Sequence, residues 1–184
     1  MKKIVSFMLA LGFMFLFCSC RGHLDTQDGN SSLQQLNTQG LSNTVKAWAN
    51  AYYQNDPDTY IKYSFKNKEC MTLLGNTDYD FNGIYSSAKD ELNNYAEFMS
   101  GKYSFYYVQA EPSDYEIYEK GSDIYDDYLN KLSELYKNAD IVDAFALVEF
   151  YIRIDYEQDS SMTSDKQVSK VECMMIDNNW YVID

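Results

Sequence analysis

Residues 144–156 constrain the fold of this chain more than any other stretch. The even positions Ala146, Val148, Phe150, Ile152, Ile154 and Tyr156 are continuously apolar. The odd positions run Phe145, Leu147, Glu149, Tyr151, Arg153 and Asp155. A two-residue period of this length reads as a long β-strand, with one face on a core and the other on water or a pocket. Such a strand needs neighbours to satisfy its backbone. Residues 168–176 and 180–183 supply two more strands, joined by Asp177-Asn178-Asn179, and asparagine tolerates the left-handed backbone of a tight hairpin. Residues 103–110 read as a further strand with apolar side chains on both faces, and 115–118 extend it beyond Pro112.

The rest of the chain carries helical periodicity. Leu41, Val45, Trp48, Ala49 and Tyr52 form one apolar stripe. Asp56 caps a second helix that has Pro57 at its first position and carries Tyr60, Ile61, Ser64 and Phe65. Ser86 or Ser87 caps a third helix through Leu92, Tyr95, Ala96 and Met99, and Ser100-Gly101 stops it. Gly121-Ser122 opens the strongest helix, with Ile124, Tyr125, Tyr128, Leu129, Leu132, Leu135 and Tyr136 on one face. Helices first and antiparallel strands last predict an α+β domain over 41–184, with N-terminal helices packed on a curved antiparallel sheet. No internal repeat is visible.

The N-terminus reads as an address. Lys2 and Lys3 precede an uncharged run from Ile4 to Phe17 that is too short for a stable membrane span and fits the hydrophobic region of a secretory signal. Phe17-Cys18-Ser19-Cys20 follows, and a small residue directly before a cysteine at this place resembles the lipobox of bacterial lipoproteins. The resemblance implies a signal peptide over 1–19, lipidation at Cys20 and an anchor in a membrane. Phe17 replaces the leucine usual in that motif. Arg21 is not the aspartate associated with inner-membrane retention, so the outer membrane is expected, and with no acidic cluster directly after Cys20 its periplasmic face is favoured, with the cell surface as the alternative. Residues 20–40 are rich in Gln, Asn, Ser, Thr and Gly and read as a flexible tether.

Composition excludes more than it nominates. The one histidine among 184 residues, His23, falls in the tether, which removes histidine-dependent triads, dyads and zinc sites. A net charge of −13, more negative once Lys2 and Lys3 leave with the signal, argues against nucleic acid. Beyond the signal only Cys70 and Cys173 remain, either a disulfide of an exported protein or two small buried thiols.

Trp48-Ala49-Asn50-Ala51-Tyr52, Asn55-Asp56-Pro57 and Tyr60-Ile61, together with the closing Val171–Asp177 and Trp180-Tyr181-Val182 segments, resemble the opening and ending of nuclear-transport-factor-2-like (cystatin-like) domains. Small lipoproteins of the Bacteroidetes often combine such elements with high Tyr, Asn and Asp content. The helix after Ser122 departs from the usual order and reads as an insertion before the last three strands. The resemblance implies a cone-shaped pocket on the concave sheet face. Enzymes of that fold, such as ketosteroid isomerases and certain dehydratases and cyclases, use an Asp base with a Tyr or Asp donor. Glu149, Tyr151, Arg153 and Asp155 would be the pocket residues here, with Asp155 or Glu149 as base and Tyr151 as oxyanion donor. Cross-strand pairing on a wet face accounts for the same residues without catalysis.

Asp78-Tyr79-Asp80-Phe81-Asn82-Gly83 matches the first half of an EF-hand-type loop, with Asp78, Asp80 and Asn82 as calcium ligands. Lys89 stands where the bidentate glutamate belongs. The other reading is an Asp/Asn/Gly turn before a helix. The acidic run Glu111, Asp114, Glu116, Glu119, Asp123, Asp126 and Asp127 reads as a solvated face. Tyr106, Tyr107, Tyr115, Tyr118, Tyr125, Tyr128 and Tyr136 divide between core packing and a binding surface. Taken together, the sequence leads us to expect a membrane-anchored, non-catalytic binding or assembly module of the cell envelope. Its partner would be a protein, peptide or glycan, and no cofactor is expected beyond calcium. The alternative is a small-molecule-binding or isomerase-like enzyme with a nuclear-transport-factor-2-like pocket.

Overall fold

A computed structural model describes residues 37–158 and 160–183. Cys18, Cys20 and His23, with the expected signal, lipidation site and most of the tether, lie outside the described residues. The elements run α1 (Thr38–Tyr53), α2 (Pro57–Tyr63), α3 (Lys68–Leu73), α4 (Phe81–Lys102), β1 (Tyr106–Glu119), α5 (Asp123–Ser133), a 3-10 turn (Ala139–Ile141), β2 (Ala144–Gln158), β3 (Ser161–Ile176) and β4 (Asn179–Ile183). The strands form an antiparallel sheet in the order β1-β2-β3-β4. The α+β class and N-terminal helices follow the sequence expectation. Among the described residues no helix is long and apolar enough to cross a membrane.

Side-chain caps fix where the helices start. Asn37 accepts from the Gly40 N–H at 2.8 Å and Asp56 from the Thr59 N–H at 3.1 Å. Asn67 accepts from the Cys70 N–H at 2.8 Å and Ser122 from the Tyr125 N–H at 3.3 Å. Each satisfies an N–H that the first helical turn leaves open. The Asn37 cap starts α1 inside the stretch expected as tether, and the Asn37 carbonyl also accepts from the Trp180 indole N–H at 2.9 Å. Residues expected as loop form α3, and α5 ends at Ser133, short of Tyr136. Gly101 does not stop α4, which runs one residue past it.

The even face of β2 packs under α1 and α4. Leu41, Val45, Ala49 and Met99 meet Val108, Ala110, Ala146, Val148, Phe150, Ile152, Cys173 and Val182 in one buried cluster. The odd face divides into two halves. Phe145 and Met174, with Tyr181 of β4, lie under α3, α5 and the 3-10 turn, where Cys70, Met71, Leu74, Tyr125 and Leu132 close a second cluster. Cys173 belongs to the first cluster and Cys70 to the second, and both thiols are free and buried. The sheet separates them, so of the two readings it is the pair of small buried thiols that the fold contains, and burial pushes the Cys70 thiol up to about 12.

Candidate functional site

Among the described residues no helix lies over the remaining half of the odd face. Cross-strand register arranges it in rows of three. From the hairpin tip inward they are Phe105–Glu157–Met162, Tyr107–Asp155–Ser164, Gln109–Arg153–Lys166, Glu111–Tyr151–Val168 and Asp114–Glu149–Lys170. Five large apolar side chains stand exposed on it: Phe105 (52%), Tyr107 (49%), Tyr151 (39%), Met162 (63%) and Val168 (57%). They leave on the order of 500 Å² of surface in the open, in two groups, Phe105, Tyr107 and Met162 at the tip and Tyr151 and Val168 further in, parted by the Gln109–Arg153–Lys166 row. The charges between them are mostly paired. Arg153 Nε donates to Asp155 at 3.0 Å, Lys170 lies 3.5 Å from Glu149, and the Lys166 ammonium sits 5.1 Å from the centroid of the Tyr151 ring.

Glu149, Tyr151, Arg153 and Asp155 are therefore brought together, on an open sheet face and not in a pocket. The physical reason is the alternation of the strand. The helices that would roof a cone cover the even positions, and the space beneath them is filled by side chains. The electrostatics also oppose a base at Asp155. The Ser164 hydroxyl, and then Arg153, hold its carboxyl below the usual range, whereas a general base at neutral pH needs the opposite shift. Glu111, from the acidic run, is likewise lowered, first by Lys46 of α1 at 2.7 Å.

The calcium motif is used in a different way. Asp80 caps α4 by accepting from the Gly83 N–H at 3.1 Å, and Phe81, Asn82 and Gly83 are already its first turn. An EF-hand needs the chain to stay in a loop for twelve residues, so the helix rules that geometry out. Among the described residues no cluster of three His, Cys, Asp or Glu side chains has metal-holding geometry.

The tyrosines split between core and surface. Tyr125 is buried and donates to the Val142 carbonyl at 2.7 Å, and Tyr128 stacks on Phe145 and donates to Glu172 at 2.7 Å. Tyr107 and Tyr151 are exposed. Sequence reasoning missed Phe105, Met162, Val168 and Lys166 as members of one surface. The one available signal was the length of β2, which demands a partner strand starting well before Val168.

Among the described residues two clefts stand out, one away from this face and one bordering it at Tyr107 and Gln109. One, of about 530 Å³, is walled by Asn37, Asp58, Lys62, Tyr63, Tyr85 and Trp180 among others, with Tyr85 donating to Asp58 at 2.7 Å. The other, of about 390 Å³, runs between α1 and the edge of β1. Neither is lined by the four expected pocket residues. Comparisons with protein-family models, with curated proteins and with solved structures find no match to this chain.

Proposed function

We propose that this chain is a membrane-anchored, non-catalytic binding or assembly module of the cell envelope. It holds a protein, peptide or glycan partner against the bare half of its sheet. The observation that carries this reading is the contrast between a filled space under the helices and five exposed apolar side chains on the opposite face. A catalytic pocket needs the reverse arrangement, a hollow interior holding a desolvated acid or base. The N-terminal helices packed on an antiparallel sheet are what supports the nuclear-transport-factor-2-like relation, in which α5, between β1 and the last three strands, is a departure read as an insertion. The signal-like N-terminus supports an anchor at Cys20 in the outer membrane.

A thermal-shift screen of the chain against periplasmic peptides, glycans, apolar small molecules and calcium tests the proposal. A true ligand at 100 times its dissociation constant adds about 2.7 kcal/mol of stability. Stabilisation by peptides or glycans that is lost in Tyr107→Ala and Tyr151→Ala supports it. Stabilisation by apolar small molecules alone, untouched by those changes, rejects it in favour of a small-molecule carrier. The 530 Å³ cleft, with its mixed aromatic and amide walls, is the place such a carrier would use. For the anchor, Cys20→Ser is expected to move the chain from the membrane fraction to the soluble one.

A further inference from the structure

The edges of this sheet differ in how they are finished. On β1, the Asn50 amide of α1 binds both backbone groups of Ala110, donating to its carbonyl at 2.9 Å and accepting from its N–H at 3.0 Å. Pro112 removes one further donor, and a register shift between Pro112 and Asp114 kinks the strand. On β4, the Phe65 N–H donates to the Val182 carbonyl at 2.8 Å, and Ser64 forms a parallel bridge to Val182. Each of these edges is interrupted by specific contacts, at Ala110–Pro112 on β1 and at Val182 on β4.

The edge of β3 is open over most of its length. β4 pairs only with Glu172–Ile176, so among the described residues no strand lies beside 161–171. The register says which groups are exposed there. Ala110 turns outward to Asn50, so its partner Ile152 turns toward β3, where it meets Gln167. Alternation then points the N–H and C=O of Met162, Ser164, Lys166, Val168 and Lys170 away from β2. The β4 contacts agree, because Val182 faces outward to Phe65 and its neighbour Tyr181 therefore faces Met174, another even residue. Lysines on an edge usually guard it. Here both reach back across β2, Lys166 to the Tyr151 ring and Lys170 to Glu149, and leave the backbone uncovered.

We propose that this edge accepts an extended segment of a partner protein as an added strand, and that the segment carries both carboxylates and aliphatic side chains at every second position, on the face shared with Lys166, Val168 and Lys170. The proposal rests on the binding-module reading and names the partner's chemistry. Backbone pairing supplies the docking, as in other strand-addition complexes. Selectivity comes from charge. In a chain of net charge −13, residues 161–171 hold Lys166 and Lys170 against a single acid, Asp165, which already accepts from the Tyr156 hydroxyl at 3.1 Å. Lys166, Lys170, Val168 and Met162 share one face of the sheet, so every second residue of the added strand faces them, with acids opposite the two lysines and aliphatic side chains opposite Val168 and Met162. A second copy fits less well, because antiparallel self-pairing centred on Lys166 or Val168 sets lysine against lysine.

The test uses the full chain and the capped peptide Thr-Glu-Thr-Val-Thr-Glu-Thr-Thr-Thr-Val-Thr, here the Val/Glu peptide, whose Glu and Val fall on one face of a strand, with the same peptide carrying Lys for Glu as the Val/Lys control. Hydrogen exchange read amide by amide is expected to slow at least tenfold at Met162, Ser164, Lys166, Val168 and Lys170 when the Val/Glu peptide binds. Binding is expected to be lost in Val168→Pro, and independently in Ser164→Pro, with circular dichroism confirming that each variant folds. Paired Lys166→Glu and Lys170→Glu changes are expected to weaken it about tenfold. The proposal is overturned by equal binding of both peptides, by no binding at millimolar peptide, or by protection that grows with protein concentration alone. Binding that survives both proline variants but fails in Tyr151→Ser also overturns it, while leaving the bare face as the docking surface.

Discussion

Phe145 and Tyr151 project from the same face of the same strand, six residues apart, and meet opposite fates. Phe145 lies under α5, 5.0 Å from the ring of Tyr128, and is fully buried. Tyr151 shares its row with Glu111 and Val168 and is covered by no helix. The difference does not arise in β2, whose alternation is continuous. It comes from α5 and α3, which roof one half of the face and stop. A single strand thus serves as core at one end and as bare surface at the other.

Alkaline titration gives the broadest test of that division. Burial first, and then the Glu116 carboxylate, push Tyr118 up to about 12, and burial likewise takes Tyr181 up to about 12. A group whose folded pKa is raised contributes stability that is fully present below its unfolded value. That stability is lost as pH rises through the folded value. The covered half is therefore expected to unfold the domain between about pH 10 and 12, seen as phenolate absorbance and loss of circular dichroism in one transition. Phenolate absorbance that completes near pH 10 with the fold intact would show the second cluster to be open to water.

Truncation should separate the halves next. Phe145→Ala is expected to cost about 3–5 kcal/mol in denaturant unfolding, and Tyr151→Ala no more than about 0.5 kcal/mol. Asn50→Ala, which opens the β1 edge by freeing both groups of Ala110, should cost about 1–3 kcal/mol and promote association visible in sedimentation. A smaller effect is expected at Asp80, where Ala should cost about 1 kcal/mol through the lost cap. Added calcium should leave the melting temperature of the parent chain unchanged; a rise would restore the metal reading of Asp78, Asp80 and Asn82.

Legibility of the sequence followed the same boundary. The apolar even face of β2, the Asp56-Pro57 helix start and the hairpin at Asp177 and Asn178, both at positive φ, could all be read directly. Each rests on local periodicity or turn chemistry. Residues 161–167 could not be read as strand, because Thr163, Ser164, Asp165, Lys166 and Gln167 bury nothing large on either face and pair only because β2 is there. The wet character of Glu149, Tyr151, Arg153 and Asp155 was visible, but whether a roof covers them depends on where α5 ends, a tertiary matter. Asp80 shows how one spacing can serve two purposes, since a helix cap and half a calcium loop share the same Asp and Gly positions.

The most direct measurement compares adjacent residues of β2, Tyr151→Lys and Ile152→Lys, by thermal unfolding of the full chain. Ile152 is 6% exposed and packs beneath the helices. A lysine there buries an unpaired charge and should unfold the domain or lower its melting temperature by more than about 10 °C. Tyr151→Lys should shift it by no more than about 2 °C, because that side chain faces water. Comparable losses from both would mean that the odd face is covered along its whole length, and the docking surface argued for this protein would not exist.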